Sequence, residues 1–185
     1  MVFEDGQKLT VLKHTLSGFF GRIMDEAALL DPRTFLSRRK LTMRGALPSE
    51  YLRRWAVLHD IFGLPTMYEG ITSTHLSEPQ MAVAQPYIEQ DDADPAELGD
   101  VIQFMEAHGF AKVDPARIAI PEVADVTWYR QRDGILITDA HARNFRKETT
   151  TGALVPVDLV VSLIPPGITQ TLSEPLSAWQ PREEE

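Results

Sequence analysis

Ile135-Leu136-Ile137-Thr138-Asp139-Ala140-His141-Ala142-Arg143-Asn144-Phe145 carries the densest chemical signal in the chain. An apolar strand pattern runs into an aspartate, and an asparagine follows five residues on. Fourteen residues after Asn144, the run Val155-Pro156-Val157-Asp158-Leu159-Val160-Val161 supplies a second aspartate among apolar neighbours. A carboxylate in such a run is costly unless it binds something. Two aspartates and an asparagine at neighbouring strand ends suit a hard cation such as magnesium. Magnesium beside a free carboxylate is the equipment of phosphoryl transfer. The bland reading is a turn in which Asp139 and Asn144 cap backbone groups, with His141 as a structural hydrogen-bonder.

Outward from this stretch, the pattern predicts a mixed α+β chain rather than alternating βαβ units. Alternation over 7–13 predicts a strand. Residues 23–31 read as a short helix or turn, and 33–46 as a basic loop. A strong helix opens at Pro48-Ser49-Glu50, with Ser49 as N-cap, and stops at Gly63. Its expected apolar face is Leu52, Trp55, Ala56, Leu58 and Ile61 or Phe62. Strands are expected at 66–72 and 81–88. A second helix is expected from Pro95 to His108, capped by Asp94 and closed by Gly109. The Asp133-Gly134 turn predicts a hairpin of 126–130 with 134–138. A further pair, 145–148 with 153–161, holds Asn144 and Asp158 at its ends.

The whole chain has 185 residues, 43% of them hydrophobic, which suffices for a core. It has no cysteine, which excludes disulfides, thiol catalysis and cysteine-zinc sites. A net charge of −9 argues against general nucleic-acid binding. No apolar run approaches the roughly 20 residues a membrane span needs, and Met1–Asp5 lacks a leader pattern, so a cytoplasmic protein is expected.

The spacing also carries a resemblance. Asp139-Ala140-His141-Ala142-Arg143-Asn144 matches the D-x-H-x-x-N form of small-molecule kinases of the aminoglycoside phosphotransferase type. It is related to the H-R-D-L-x-x-x-N loop of protein kinases. Around it stand Thr10-Val11-Leu12-Lys13, Glu50-Tyr51-Leu52-Arg53-Arg54, Ile61-Phe62-Gly63, Gln85-Pro86-Tyr87-Ile88 and Gly109-Phe110. In this order, over roughly 8–162, they resemble the kinase-like domain found in polyvalent proteins of phages and conjugative elements.

The resemblance implies a reduced protein-kinase-like fold. It would have an N-terminal lobe over 1–88 (a sheet and one main helix), a short C-terminal lobe of hairpins over 89–164, and a tail over 165–185. It implies ATP and magnesium, with an unknown protein or small-molecule acceptor. Asp139 would take the acceptor's proton, and Asn144 and Asp158 would hold the metal. Lys13 would contact the phosphates with Glu50 as its ion-pair partner. Ala84 to Ile88, with Gln85 and Tyr87, would form the hinge against adenine. The chain departs from the pattern before Asp139, after Asp158, and upstream of Lys13, where no glycine-rich loop is evident. Gly18-Phe19-Phe20-Gly21 comes after the lysine, out of place for that role. Transfer is therefore expected to be weak or lost. The rivals are a non-catalytic kinase-like partner-binding module and a metal-dependent hydrolase using Asp139, His141 and Asp158.

Overall fold

The computed structural model describes residues 2–5, 8–30, 37–73, 78–90 and 93–164. The fold is α+β, with small antiparallel sheets and three α-helices among the described residues. Strands β1 (Val2–Asp5) and β2 (Lys8–His14) form a hairpin. Next come β3 (Arg22–Leu30) and β4 (Ser37–Gly45), which form a two-stranded sheet, with Leu41 of β4 bridged to Ile118. Helix α1 spans Pro48–Phe62. Strands β5 (Met67–Thr72) and β6 (Gln80–Pro86) complete the first sheet, in the order β1-β2-β6-β5. The strands expected at 7–13, 66–72 and 81–88 thus form, with small shifts at their ends.

The helix or turn expected at 23–31 and the basic loop expected at 33–46 do not form over the described residues; β3 and β4 stand there, and 31–36 lie outside the description. The charges stand on the exposed face of a hairpin, where they pair across the strands. Arg39 pairs with Glu26 at 3.0 Å and Arg44 with Asp25 at 2.8 Å, both diagonally across the ladder. Ile23, Met24 and Leu41 meanwhile bury their side chains.

Helix α1 starts with Pro48 in its first turn, where a missing N–H costs nothing. Ser49 lies inside the helix and does not cap it. The carboxylate of Glu50 instead accepts from the Leu47 backbone N–H at 2.8 Å. Gly63, at φ 65°, ends the helix in the left-handed region. The buried face is Tyr51, Trp55 and Leu58, and Ala56, expected on it, is exposed.

Helix α2 (Leu98–Ala107) starts later than expected. Asp94 does not cap it, because its carboxylate accepts from Lys147 at 2.8 Å; Asp100 reaches back to the Glu97 N–H. Gly109 follows the helix with φ 79°. Short β7 (Ala111–Lys112) and helix α3 (Pro121–Ala124) were not visible in the pattern. Strands β8 (Trp128–Arg130) and β9 (Ile135–Thr138) form the expected hairpin. Strand β10 (Phe145–Lys147) pairs with β11 (Leu154–Pro156). The single strand expected over 153–161 is broken. The chain bends at Val157-Asp158 and resumes as β12 (Val160–Leu163), which leaves β10 and pairs with β9. The second sheet has the order β12-β9-β8-β7.

Two buried clusters hold these elements: one around Met24 of β3, Leu41 of β4 and Leu136 of β9, and a larger one that positions the loops after β9 and β11. Trp55 and Leu58 of α1, Val83 of β6, Ile137 of β9, Phe145 and Leu159 belong to the larger cluster. Each fully buried aliphatic or aromatic side chain there is worth about 1.5–3 kcal/mol. The cluster fixes α1 and β6 against the loops that follow β9 and β11. No described helix is long and apolar enough to cross a membrane.

Candidate functional site

Asp139 leaves the end of β9 with φ 61°, the one non-glycine residue in the left-handed region among the described residues. Such a conformation costs of order 1 kcal/mol or more and persists when neighbours over-determine it. Asn144 does so. Its amide NH2 donates to the Asp139 carbonyl at 2.7 Å and to Asp139 Oδ2 at 3.0 Å. His141 Nε2 stands 3.4 Å from Oδ1 of the same carboxylate, and Arg143 stands 3.7 Å from it.

The second hairpin is tied to this loop through its backbone. The Val157 N–H donates to the Asn144 carbonyl at 2.8 Å. Asp158 follows in the bend between β11 and β12. Its side chain is 56% exposed, so the cost inferred from its apolar neighbours does not apply. The break in the strand is the reason: the bend lets the carboxylate leave the apolar layer.

The opposite wall comes from the N-terminal sheet and α1. Lys13 lies on β2, across from Val83, with its ammonium 5.0 Å from the centre of the Trp55 ring. It donates to the carbonyl of Val157, the residue before Asp158. Burial pushes the Lys13 ammonium down to about 8. The nearby Asp158 carboxylate opposes that shift, while Arg54 and Arg146 reinforce it.

Arg54 donates to the Asp158 carboxylate. Its guanidinium stacks 4.8 Å from the Trp55 ring centre, and its side chain is only 10% exposed. Among the described residues, the buried Arg54 Nε has no hydrogen-bond partner. A cavity of about 370 Å³ opens beside this pair, lined among others by Asp139, Asp158, Arg54, Arg22, Gly21 and Glu122.

Three expected residues sit differently. Glu50 does not pair with Lys13. It receives two hydrogen bonds from Arg44, at 2.9 and 2.7 Å, besides the one from Leu47. The Arg44 bonds hold its carboxyl down at about 2. Glu50 lies in the first turn of α1, whereas Trp55, more than a turn later, faces Lys13. Gln85 is buried and donates to Thr66 Oγ at 3.2 Å. The Tyr87 N–H is already given to the Leu9 carbonyl at 2.9 Å, and the Tyr87 ring is exposed.

The sequence did not reveal the role of Arg54. Its four-residue spacing from Glu50 points to a helical pair with Glu50, whereas Arg54 pairs with Asp158 and Glu50 with Arg44. Nor did it place Gly21 and Arg22 at the cavity. Chain order puts the glycine pair after the lysine, yet the segment that follows β2 brings Gly21 and Arg22 to the cavity.

The donor set suits magnesium in kind. Asp158 offers a carboxylate, and the Asn144 amide oxygen accepts no hydrogen bond among the described residues. Magnesium is held by one or two such groups together with substrate phosphates. No group of three or more His, Cys, Asp or Glu side chains comes together as a metal site among the described residues. Arg54 competes for the Asp158 carboxylate. Comparisons with protein-family models, curated proteins and solved structures found no match to this chain.

Proposed function

We propose that this chain is a kinase-like domain that binds the phosphates of ATP between the β2–α1 wall and the 139–158 loops. It transfers the γ-phosphoryl group slowly to a hydroxyl-bearing acceptor. The observation that carries the reading is the meeting of Lys13 with Val157-Asp158, 144 residues away in sequence, beside a cavity lined by both Asp139 and Asp158. The order of parts supports it too: lysine strand, helix, strand ending at Pro86, aspartate loop, aspartate bend.

In the transfer, the acceptor oxygen forms a bond to the γ-phosphorus, the bond from phosphorus to the ADP oxygen breaks, and the acceptor proton passes to Asp139. Asn144 holds Asp139 in place by one hydrogen bond to its carboxylate and one to its backbone carbonyl. Magnesium, when bound, would neutralise charge on the phosphate oxygens, with Asp158 and Asn144 as its protein donors. Lys13 supplies a cation from the other wall.

Slow turnover follows from the same contacts. Transfer depends on positioning and electrostatic stabilisation. Here Glu50 is held by Arg44, and Arg54 occupies the metal aspartate. The ion pair on Asp158 also favours a second reading, a non-catalytic module that holds nucleotide or a partner.

The test is turnover of radiolabelled ATP by the full chain, beside Asp139→Asn and Asp158→Ala, with thermal melting in ATP with and without magnesium. Slow turnover lost in both variants supports the kinase. A ligand at a hundred times its dissociation constant stabilises by about 2.7 kcal/mol. Such stabilisation without turnover selects the binding module, and neither effect removes the kinase-like reading.

A further inference from the structure

We propose that Arg54 receives the nucleotide's phosphates itself, so that triphosphate binding in this cleft does not require a divalent cation. The inference rests on the kinase-like reading of the cleft and concerns how that cleft handles charge.

A carboxylate and a triphosphate repel each other at close range. A divalent ion between them is one remedy, and a guanidinium bound to the carboxylate is another. Arg54 stands where the second remedy requires. It is bonded to Asp158 and lines the same cavity as Asp139 and Asp158.

The guanidinium is also held in place for such a role. It stacks on Trp55 at 4.8 Å, and that ring is itself 4% exposed in the core. Its Nη1 lies beside Gly21, where a Cβ would come within 3.9 Å. That distance is ordinary van der Waals contact, and it is the φ of 83° at Gly21 that would strain a side chain there.

Arg54 donates to Asp158 but, among the described residues, leaves a buried Nε unpaired. A buried donor without an acceptor costs free energy. Arginine presents five donors in a planar fork suited to phosphate; with Nη2 on Asp158 and Nε shut in the core, Nη1, beside the cavity-lining Gly21, remains for a ligand. Lys13 stands on the same wall, 5.0 Å from the Trp55 ring centre, and Arg22 lines the cavity. The acidic residues facing the site are Asp139, Asp158 and Glu122.

The experiment titrates ATP into the full chain by calorimetry, in EDTA and in magnesium. It compares wild type, Arg54→Gln and Arg54→Lys, with circular dichroism melting as the check on folding. In wild type, the two dissociation constants should agree within about threefold. Arg54→Gln should weaken binding in EDTA about tenfold or more, the loss expected for a charge-assisted hydrogen bond. Magnesium should recover much of that loss, and Arg54→Lys should retain part of the metal-free binding. Wild-type binding that requires magnesium, or EDTA binding unchanged in Arg54→Gln, overturns the inference and leaves the cleft reading intact. No ATP binding by wild type in either condition overturns both. The wild-type comparison stands even where a variant fails to fold.

Discussion

The two walls of the cleft are assembled in different ways. The wall that carries Asp139, Asn144 and Asp158 is local. Asn144 holds Asp139 across five residues, and its carbonyl holds Val157 within the next hairpin. The wall that carries Lys13 and Arg54 is non-local. Lys13 reaches Val157, and Arg54 reaches Asp158 across 104 residues. The local wall supplies acids and amides in a fixed loop. The non-local wall supplies cations on a sheet and helix that the core holds in place. The geometry of this cleft therefore depends on packing between distant parts of the chain.

The largest effect should come from the local wall. Asp139→Asn is expected to lower any phosphoryl-transfer rate by about 10²–10⁴-fold, the usual contribution of a general base. Its melting temperature should stay close to wild type, since Asn144 can still bond an amide oxygen. A turnover rate unchanged in this variant would remove Asp139 from the chemistry.

Next comes the join between the walls. Asp158→Ala leaves the Arg54 guanidinium buried without its carboxylate. Full burial of both partners would make that cost about 3–5 kcal/mol. Because Asp158 is more than half exposed, about 1–2 kcal/mol is expected, read by urea unfolding.

The third effect is a pH dependence of the non-local wall. Lys13 titrates at about 8 in the folded chain, below its ordinary value of 10.5. At neutral pH both states carry the proton, and the folded state bears the cost of a buried charge. Between about pH 8 and 10.5 the unfolded chain holds more protons than the folded one, so stability rises with pH. Relative to Lys13→Met, wild type should therefore gain stability across that window. A flat difference would place Lys13 in solvent.

The smallest effect should come from Glu50. Glu50→Ala removes the contact with Arg44 and the bond to the Leu47 N–H, and is expected to cost about 0.5–1 kcal/mol. Its carboxyl is held low, so this contribution should be present above the ordinary carboxylate range and fade as pH falls toward about 2. Nucleotide affinity should not change. A large loss of affinity would restore Glu50 as the partner of Lys13.

Legibility in the sequence follows the same division. The Asp139–Asn144 spacing, the Asp133-Gly134 turn, the start of α1 at Pro48 and its stop at Gly63 are local patterns, and all of them appear in the structure. So does the placement of Trp55 on the buried face of α1. The β3–β4 ladder was missed because a charged hairpin stabilised by diagonal ion pairs looks like a solvated loop. The break at Val157-Asp158 was missed because an apolar run gives no sign of where strand pairing changes from β10 to β9. The Arg54–Asp158 contact was beyond any spacing rule, since only the tertiary fold brings the two residues together.

The most direct test of the kinase-like cleft is calorimetric titration of ATP with magnesium into wild type and Lys13→Met. Lys13 is the cation whose placement depends on the whole fold. The account predicts saturable single-site binding in wild type, weakened about tenfold or more in Lys13→Met while the variant remains folded. No saturable binding in wild type, or equal affinity in the variant, would contradict it.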